Sequence, residues 1–190
     1  ERKIENFMEL RQIPIITQTA FIPDTPAGGL ALAVTQRGIV RIFFCNCKEY
    51  DAFLADHSLT ENTFKMELME EAVRELYEYF DGKRKHFDLP LDLRGQPPFR
   101  KKVLRACTKI PFGETISYRE LAVQAGSPKA ARAVGGAMAC NPIAVVIPCH
   151  RVVGSDRSLH GYSSPGGISV KAFLLRHEGV IIEKNRVYTA

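Results

Sequence analysis

Apolar positions in the first ninety residues fall into short runs and one long helical stripe. Ile15-Ile16-Thr17-Gln18-Thr19, Leu30-Ala31-Leu32-Ala33-Val34 and Ile39-Val40-Arg41-Ile42-Phe43-Phe44 are β-branched or aromatic segments bounded by turn residues, and each predicts a strand. Gln36-Arg37-Gly38 has the length and composition of a hairpin connection, so the second and third strands are expected to be antiparallel. From Phe64 to Phe80 the period changes to that of a helix. Leu68, Met69, Ala72, Val73, Leu76, Tyr77 and Phe80 recur as one buried face, and Gly82 supplies the stop. Residues 92 to 98, Asp-Leu-Arg-Gly-Gln-Pro-Pro, break both patterns and read as a linker.

Beyond the linker the chain reads mostly helical. A helix is expected over Phe99 to Thr108, with Val103, Leu104 and Cys107 on its inner face. Ser117-Tyr118-Arg119-Glu120 is a capping box, which starts a short helix running to Ala125. Gly126 breaks the chain, Ser127 can cap a second helix, and Pro128 suits its first position, so the helix is expected from Pro128 to Cys140. Helix, glycine turn and helix form a helix-turn-helix. The second helix is built of tiny residues (Ala130, Ala131, Ala133, Gly135, Gly136, Ala137, Ala139), with Arg132 as its long cation. Base-reading helices carry Asn, Gln and Arg, so this surface suits close backbone approach or tight packing instead. The apolar run Ile143 to Ile147 predicts a buried strand that delivers Pro148-Cys149-His150-Arg151-Val152.

Charge separates the two halves. Residues 1 to 96 hold 12 Lys and Arg against 16 Asp and Glu, whereas 97 to 190 hold 14 against 5. A basic second half matches a phosphate-backbone ligand, and simple solubility would explain it as well. No apolar run approaches the roughly 20 residues of a spanning helix, and the first six residues are too charged for a signal peptide, so an intracellular protein with no membrane partner is expected. Five cysteines (Cys45, Cys47, Cys107, Cys140, Cys149) are an odd number without the density of a disulfide scaffold. Cys45 and Cys47 stand two apart, as neighbours on one strand face, and lack the His or second Cys pair of a zinc site.

A cysteine needs a base or a positive field to react near neutral pH, and His150 follows Cys149 directly. Adjacent residues on a strand point to opposite faces, so a bend or a bridging water would be required to link them. A Cys-His pair of this kind could serve a thiol hydrolase or an alkyl acceptor.

Pro148-Cys149-His150-Arg151-Val152, following Pro-Lys-Ala-Ala-Arg-Ala-Val-Gly-Gly-Ala-Met at 128 to 138, strongly resembles the O6-alkylguanine-DNA alkyltransferases over residues 97 to 182. The resemblance implies a ribonuclease H-like α+β domain (1–91, a small antiparallel sheet plus helix), a linker (92–98) and a mostly α winged helix-turn-helix domain (99–190). It implies a DNA repair enzyme that flips an O6-alkylguanine out of double-stranded DNA and moves the alkyl group irreversibly, once per molecule, to Cys149. Within the site it implies that a water joins Cys149 to His150, that Glu178 orients His150, and that Tyr118 protonates the leaving guanine. Asn141 would tie the helix-turn-helix to the active-site strand. Arg132 would replace the flipped base in the stack, with Ser127, Lys129, Ala131 and Arg151 also on DNA. Met138, Tyr162 and the Ser163 amide would form the pocket, and the carbonyls of Cys149 and Val152 would accept the guanine amino group. The resemblance further implies a monomer, cytoplasmic in a prokaryote or nuclear in a eukaryote, that uses no cofactor.

The chain departs from the family pattern at three points. Ala139 stands where a basic residue is common, and Ser164-Pro165 lengthens the lid before Gly166-Gly167. Mammalian members hold zinc in the first domain, but here no cysteine precedes Cys45, so no metal is expected. Three other readings make distinguishable demands. A damage sensor of the same fold would lack the acceptor cysteine, a helix-turn-helix regulator would need base-reading side chains, and a hydrolase would need an oxyanion hole.

Overall fold

The computed structural model describes residues 14–56 and 66–188. The first unit is a three-stranded antiparallel sheet of β1 (Gln18–Ile22), β2 (Leu30–Thr35) and β3 (Gly38–Phe44), in that order. It is followed by α1 (Cys47–Asp56) and α2 (Met66–Phe80). The expected hairpin is present: Gln36 and Arg37 link β2 to β3, and Thr35 pairs with Gly38. Cys47 opens α1 and is exposed while Cys45 is buried, so the two do not share a strand face. The first strand lies three residues later than the 15–19 run suggests. Ile15 is exposed, and of that run's leading residues only Thr17 joins the ladder, donating its amide to the Val34 carbonyl (2.9 Å).

Helix α2 buries Leu68, Met69, Ala72, Leu76 and Phe80 as its period requires. The expectation fails at Tyr77, which is 48% exposed, while Tyr79 is fully buried. Tyr79 stands three residues beyond Leu76 on the same face, whereas Tyr77 is rotated off it. Gly82 ends the turn with a left-handed φ of 73° and donates its amide to the Tyr79 carbonyl. Phe64, the expected start of this helix, lies outside the described residues.

The second unit contains α3 (Pro98–Cys107), β4 (Ile116–Ser117), α4 (Tyr118–Gln124), α5 (Ala131–Ala139), β5 (Val152–Val153), α6 (Gly167–His177), β6 (Ile181–Glu183) and β7 (Arg186–Tyr188). The capping box forms: the Glu120 amide donates to Ser117 Oγ (3.1 Å), and the Ser117 amide donates to the Glu120 carboxylate (2.6 Å). Helix α5 does not begin at Pro128. Ser127 to Ala130 close a turn through the Ala130 amide and the Ser127 carbonyl (2.9 Å), and Ala130 is the N-cap.

The expected strand 143–147 is reduced to one bridge. Ile42 pairs with Ile143, its amide bonding the Pro142 carbonyl (2.9 Å) and its carbonyl receiving the Ala144 amide (2.8 Å). Val145 then takes a left-handed φ of 70°, which is costly for a β-branched residue, and the Ile147 amide returns to the Ile143 carbonyl (3.0 Å). The run is buried, as its composition demands, but coiled rather than extended. A second parallel bridge, Ile39 to Leu91, covers the other end of β3. The outer edge of the sheet is therefore paired by residues 90–92 and 142–144. One apolar core runs from β2 and α2 through α3, α4 and α5 to Cys149, so the two units share an interior. Among the described residues no helix is long and apolar enough to cross a membrane.

Candidate active site

The coil at Val145 hands the chain to a single 3-10 turn, Cys149–Arg151, and all three residues are buried. On such a turn consecutive side chains fan out at roughly a third of a revolution instead of alternating. This tight turn replaces the strand expected at Cys149. It leads directly into β5, which pairs in parallel with β4 and so sets Tyr118, the first residue of α4, beside the site.

Three elements converge on the Cys149 thiol. From the end of α5, the Asn141 amide nitrogen donates to the Ile147 carbonyl (2.8 Å) and contacts Sγ (3.0 Å), while its oxygen receives the Ile143 amide (3.1 Å). Asn141 thus joins helix, coil and thiol. Tyr162, packed edge-on against Phe44 of β3, acts on the thiol electrostatically from close by without a well-formed hydrogen bond. Lys171, inside α6, is buried with its ammonium on the Val152 carbonyl (2.6 Å) and 5.9 Å from the Tyr118 ring. Burial pushes the Cys149 thiol up, and Asn141, Lys171 and Tyr162 pull it back. Burial likewise brings Lys171 down to about 8, with Cys149 and Cys107 opposing that shift.

His150 points into the carboxylate of Glu178, with Nε2 2.7 Å from Oε1 and both side chains fully buried. Glu178 is the C-cap of α6, and Gly179, at a φ of 85°, turns the chain away behind it. Its carboxylate is fully subscribed. Arg151 grips both oxygens, Nε to Oε2 (2.8 Å) and Nη2 to Oε1 (3.0 Å), the Gly113 amide reaches Oε2 (3.2 Å), and the Tyr79 hydroxyl donates to Oε1 (2.7 Å). Burial would raise the carboxyl, but the hydrogen bond and charge of His150, and after them those of Arg151, hold Glu178 well below the usual carboxylate range. Burial pushes His150 below its ordinary value although Glu178 pulls it upward. A neutral imidazole that gives Nε2–H to Glu178 leaves Nδ1 as an acceptor, and Nδ1 is a buried atom without a hydrogen-bond partner among the described residues.

The remaining expected residues fall in two places. Arg132 and Lys129 are exposed and Ser127 and Ala131 half-buried, on and just before α5. Arg151 is not among them. Its side chain is only 7% exposed, and its Nη1 donates to the Ile110 carbonyl (2.6 Å), so it braces the carboxylate and does not face outward toward DNA. Met138 lies in the core behind Cys149, Tyr118 is half-buried, and Ser163 is exposed. Burial is the main reason that Tyr118 is a weaker acid than free tyrosine. The Val152 carbonyl already accepts from Lys171, so one lone pair is left for a ligand. Sequence reasoning missed Lys171 and Tyr79. Lys171 carried a readable signal, since it precedes Glu178 by seven residues, two turns up the same helix face. Among the described residues no cluster of three or more His, Cys, Asp or Glu could hold a metal ion.

Fold and site together define a two-unit protein: a small α/β unit and a helical unit, with a buried cysteine-histidine-glutamate constellation in their shared core. Two family profiles divide the chain in the same way. The ribonuclease-like domain of 6-O-methylguanine DNA methyltransferase matches residues 19–93, and the DNA binding domain of that family matches residues 98–180. The methylated-DNA--protein-cysteine methyltransferase of Methanosarcina barkeri is 43% identical over 157 residues, covering 83% of this chain and 94% of the relative. The constitutive enzyme of that name from Bacillus subtilis is 40% identical over 159 residues, covering 83% and 93%. The crystal structure of Mycobacterium tuberculosis OGT in complex with DNA is similar with a TM-score of 0.70 at 39% identity, covering 84% of this chain and 91% of that one. The chain belongs to the 6-O-methylguanine DNA methyltransferase family.

Proposed function

We propose that this protein repairs O6-alkylguanine in double-stranded DNA by transferring the alkyl group to its own Cys149, once per molecule. The reading is carried by the buried turn that presents Cys149 and His150 together, with Nε2 of His150 held by Glu178 at 2.7 Å and Nδ1 free to accept a proton. His150 takes the thiol proton through a bridging water. The thiolate attacks the alkyl carbon in line, the carbon–O6 bond breaks, its electron pair stays with guanine, and Tyr118 returns a proton to the base. Lys171 lies where its positive charge favours the thiolate. The product thioether is not readily hydrolysed, which makes the reaction stoichiometric.

The parts that handle DNA belong to the same reading. Residues 1–91 act as scaffold, 92–98 as the connection, and 99–190 as the DNA-binding and acceptor unit. In that unit α4 and α5 form the helix-turn-helix, and the β6–β7 hairpin with the Ser158 to Arg186 bridge serves as its wing. Arg132, on the exposed face of α5 with Gly136 and Ala139, fills the space left by a flipped base and offsets part of an unstacking cost of a few kcal/mol. A Cβ added at Gly135 or Gly136 would meet nothing within 4 Å, so internal packing does not require these glycines. Close approach of a DNA backbone does.

Intact mass with peptide mapping tests the assignment, after incubation with a duplex containing one O6-methylguanine. Wild-type protein should gain one methyl on Cys149 and saturate at one per molecule, while Cys149→Ser gains none. DNA binding without any methyl gain in the wild type would sink the proposal.

A further inference from the structure

The scaffold unit reaches into the reacting centre at one point. Tyr79, on the last turn of α2, is fully buried and places its hydroxyl 2.7 Å from Oε1 of Glu178, across 99 positions of sequence. The same residue receives a second contact from the other unit: its carbonyl lies 2.6 Å from Nε2 of His177, the neighbour of Glu178. The phenol ring is held by the edges of Phe80, Phe112 and His177 at centroid distances of 5.2, 6.2 and 5.1 Å. A phenylalanine would fill that space equally well. The hydroxyl is therefore explained only by the carboxylate it meets.

We propose that Tyr79 is a positioning residue of the alkyl transfer: its hydroxyl shares Oε1 of Glu178 with His150, and so sets how strongly that carboxylate draws on the imidazole. This rests on the alkyl-transfer reading above. A donor on a carboxylate oxygen disperses its charge, and the phenol and the imidazole compete for the same atom. With the hydroxyl removed, Oε1 turns more of its charge to His150, imidazolium becomes more favourable, and the Cys149 thiolate forms at lower pH. The other groups facing this chain of residues stay in place. Around Glu178 and His150 they are Arg151, Lys171 and His177, and around the thiol they are Asn141, Tyr118, Tyr162 and Cys107. Arg151 already holds Oε1 through Nη2 (3.0 Å) in the presence of the phenol, and none of the other groups reaches that atom.

The test is the rate of methyl transfer from an O6-methylguanine duplex to full-length protein as a function of pH, for wild type and Tyr79→Phe, with melting temperatures taken in the same buffers. The rising limb of the rate profile should move to lower pH in the variant by about half a unit. Protein with 3-fluorotyrosine incorporated at Tyr79 keeps the ring and strengthens the donor, so its limb should move the opposite way, and it carries the test if Tyr79→Phe does not fold. Superimposable profiles from folded proteins, with only the melting temperature changed, would make Tyr79 a packing residue and overturn the proposal. A wild-type protein that transfers no methyl at any pH overturns the alkyl-transfer reading instead, and the role of Tyr79 falls with it.

Discussion

Two buried carboxylates, Asp92 at the connection between the units and Glu178 in the second unit, have been given opposite tasks by similar means. Asp92 is 4% exposed and held by the Thr35 hydroxyl (2.7 Å), the Arg94 amide (3.1 Å) and the Arg94 guanidinium (2.9 and 2.6 Å). Those donors outweigh its burial and lower it to about 2. Glu178 is equally buried, meets an arginine in the same two-pronged way, and is also depressed. Depth, pairing and acidity do not separate them. What separates them is where the chain of contacts leads. From Asp92 it ends at β2 and a partly exposed Arg94, so the cluster pins residues 92–94 to the sheet. From Glu178 it passes to an imidazole whose second nitrogen is unpartnered among the described residues, on the same turn as a thiol. A perturbed acid marks a site only when a proton can be relayed beyond it.

Glu178→Gln should produce the largest effect on both properties. It leaves Arg151 buried without its counter-charge, at a cost of about 3–5 kcal/mol in denaturant unfolding. It also deprives His150 of its orienting charge, so methyl transfer to Cys149 should slow by roughly a hundredfold or more in single-turnover mass measurements. Asp92→Asn should cost less, about 1–3 kcal/mol by the same unfolding assay, and leave the transfer rate at its wild-type value. A slow but folded Asp92→Asn protein would erase the distinction between the two carboxylates.

The smallest effect is a pH dependence. Because folding lowers Asp92 from its ordinary value of 3.8 to about 2, its contribution is complete above about pH 4 and disappears as pH falls through 2. That contribution is about 2 kcal/mol, and it should be missing from the acid limb of an unfolding series recorded for Asp92→Asn.

Local signals were legible wherever neighbours in sequence decide the outcome. The hairpin at Gln36-Arg37, the capping box at Ser117 and Glu120, and the glycine stops at 82 and 126 are short-range hydrogen-bond and steric problems, and each is solved as the residues demand. The motif around Cys149 named its chemical partners for the same reason of proximity, and Glu178 came with the resemblance. The expectation failed at Tyr77 because it is rotated off the face that Leu76 and Tyr79 share, and Tyr79 is the tyrosine that meets a carboxylate. Ile143 to Ile147 looked like a strand because burial and β-branching are common to strands and to a packed coil. The resemblance placed Arg151 on DNA, and the structure instead buries it against Glu178 and the Ile110 carbonyl.

By itself, then, the sequence determined the two-unit order, the Cys149-His150 pair proposed as nucleophile and base, and the helices and hairpin that local energies suffice to form. Tertiary structure decided that Cys149 rides a 3-10 turn, that Lys171 and Arg151 turn inward, and that Tyr79 reaches Glu178. These are contacts between residues tens of positions apart or between faces of different elements. Their free energies come from removing charges and dipoles from water together, and one segment of chain cannot specify that before the rest has folded around it.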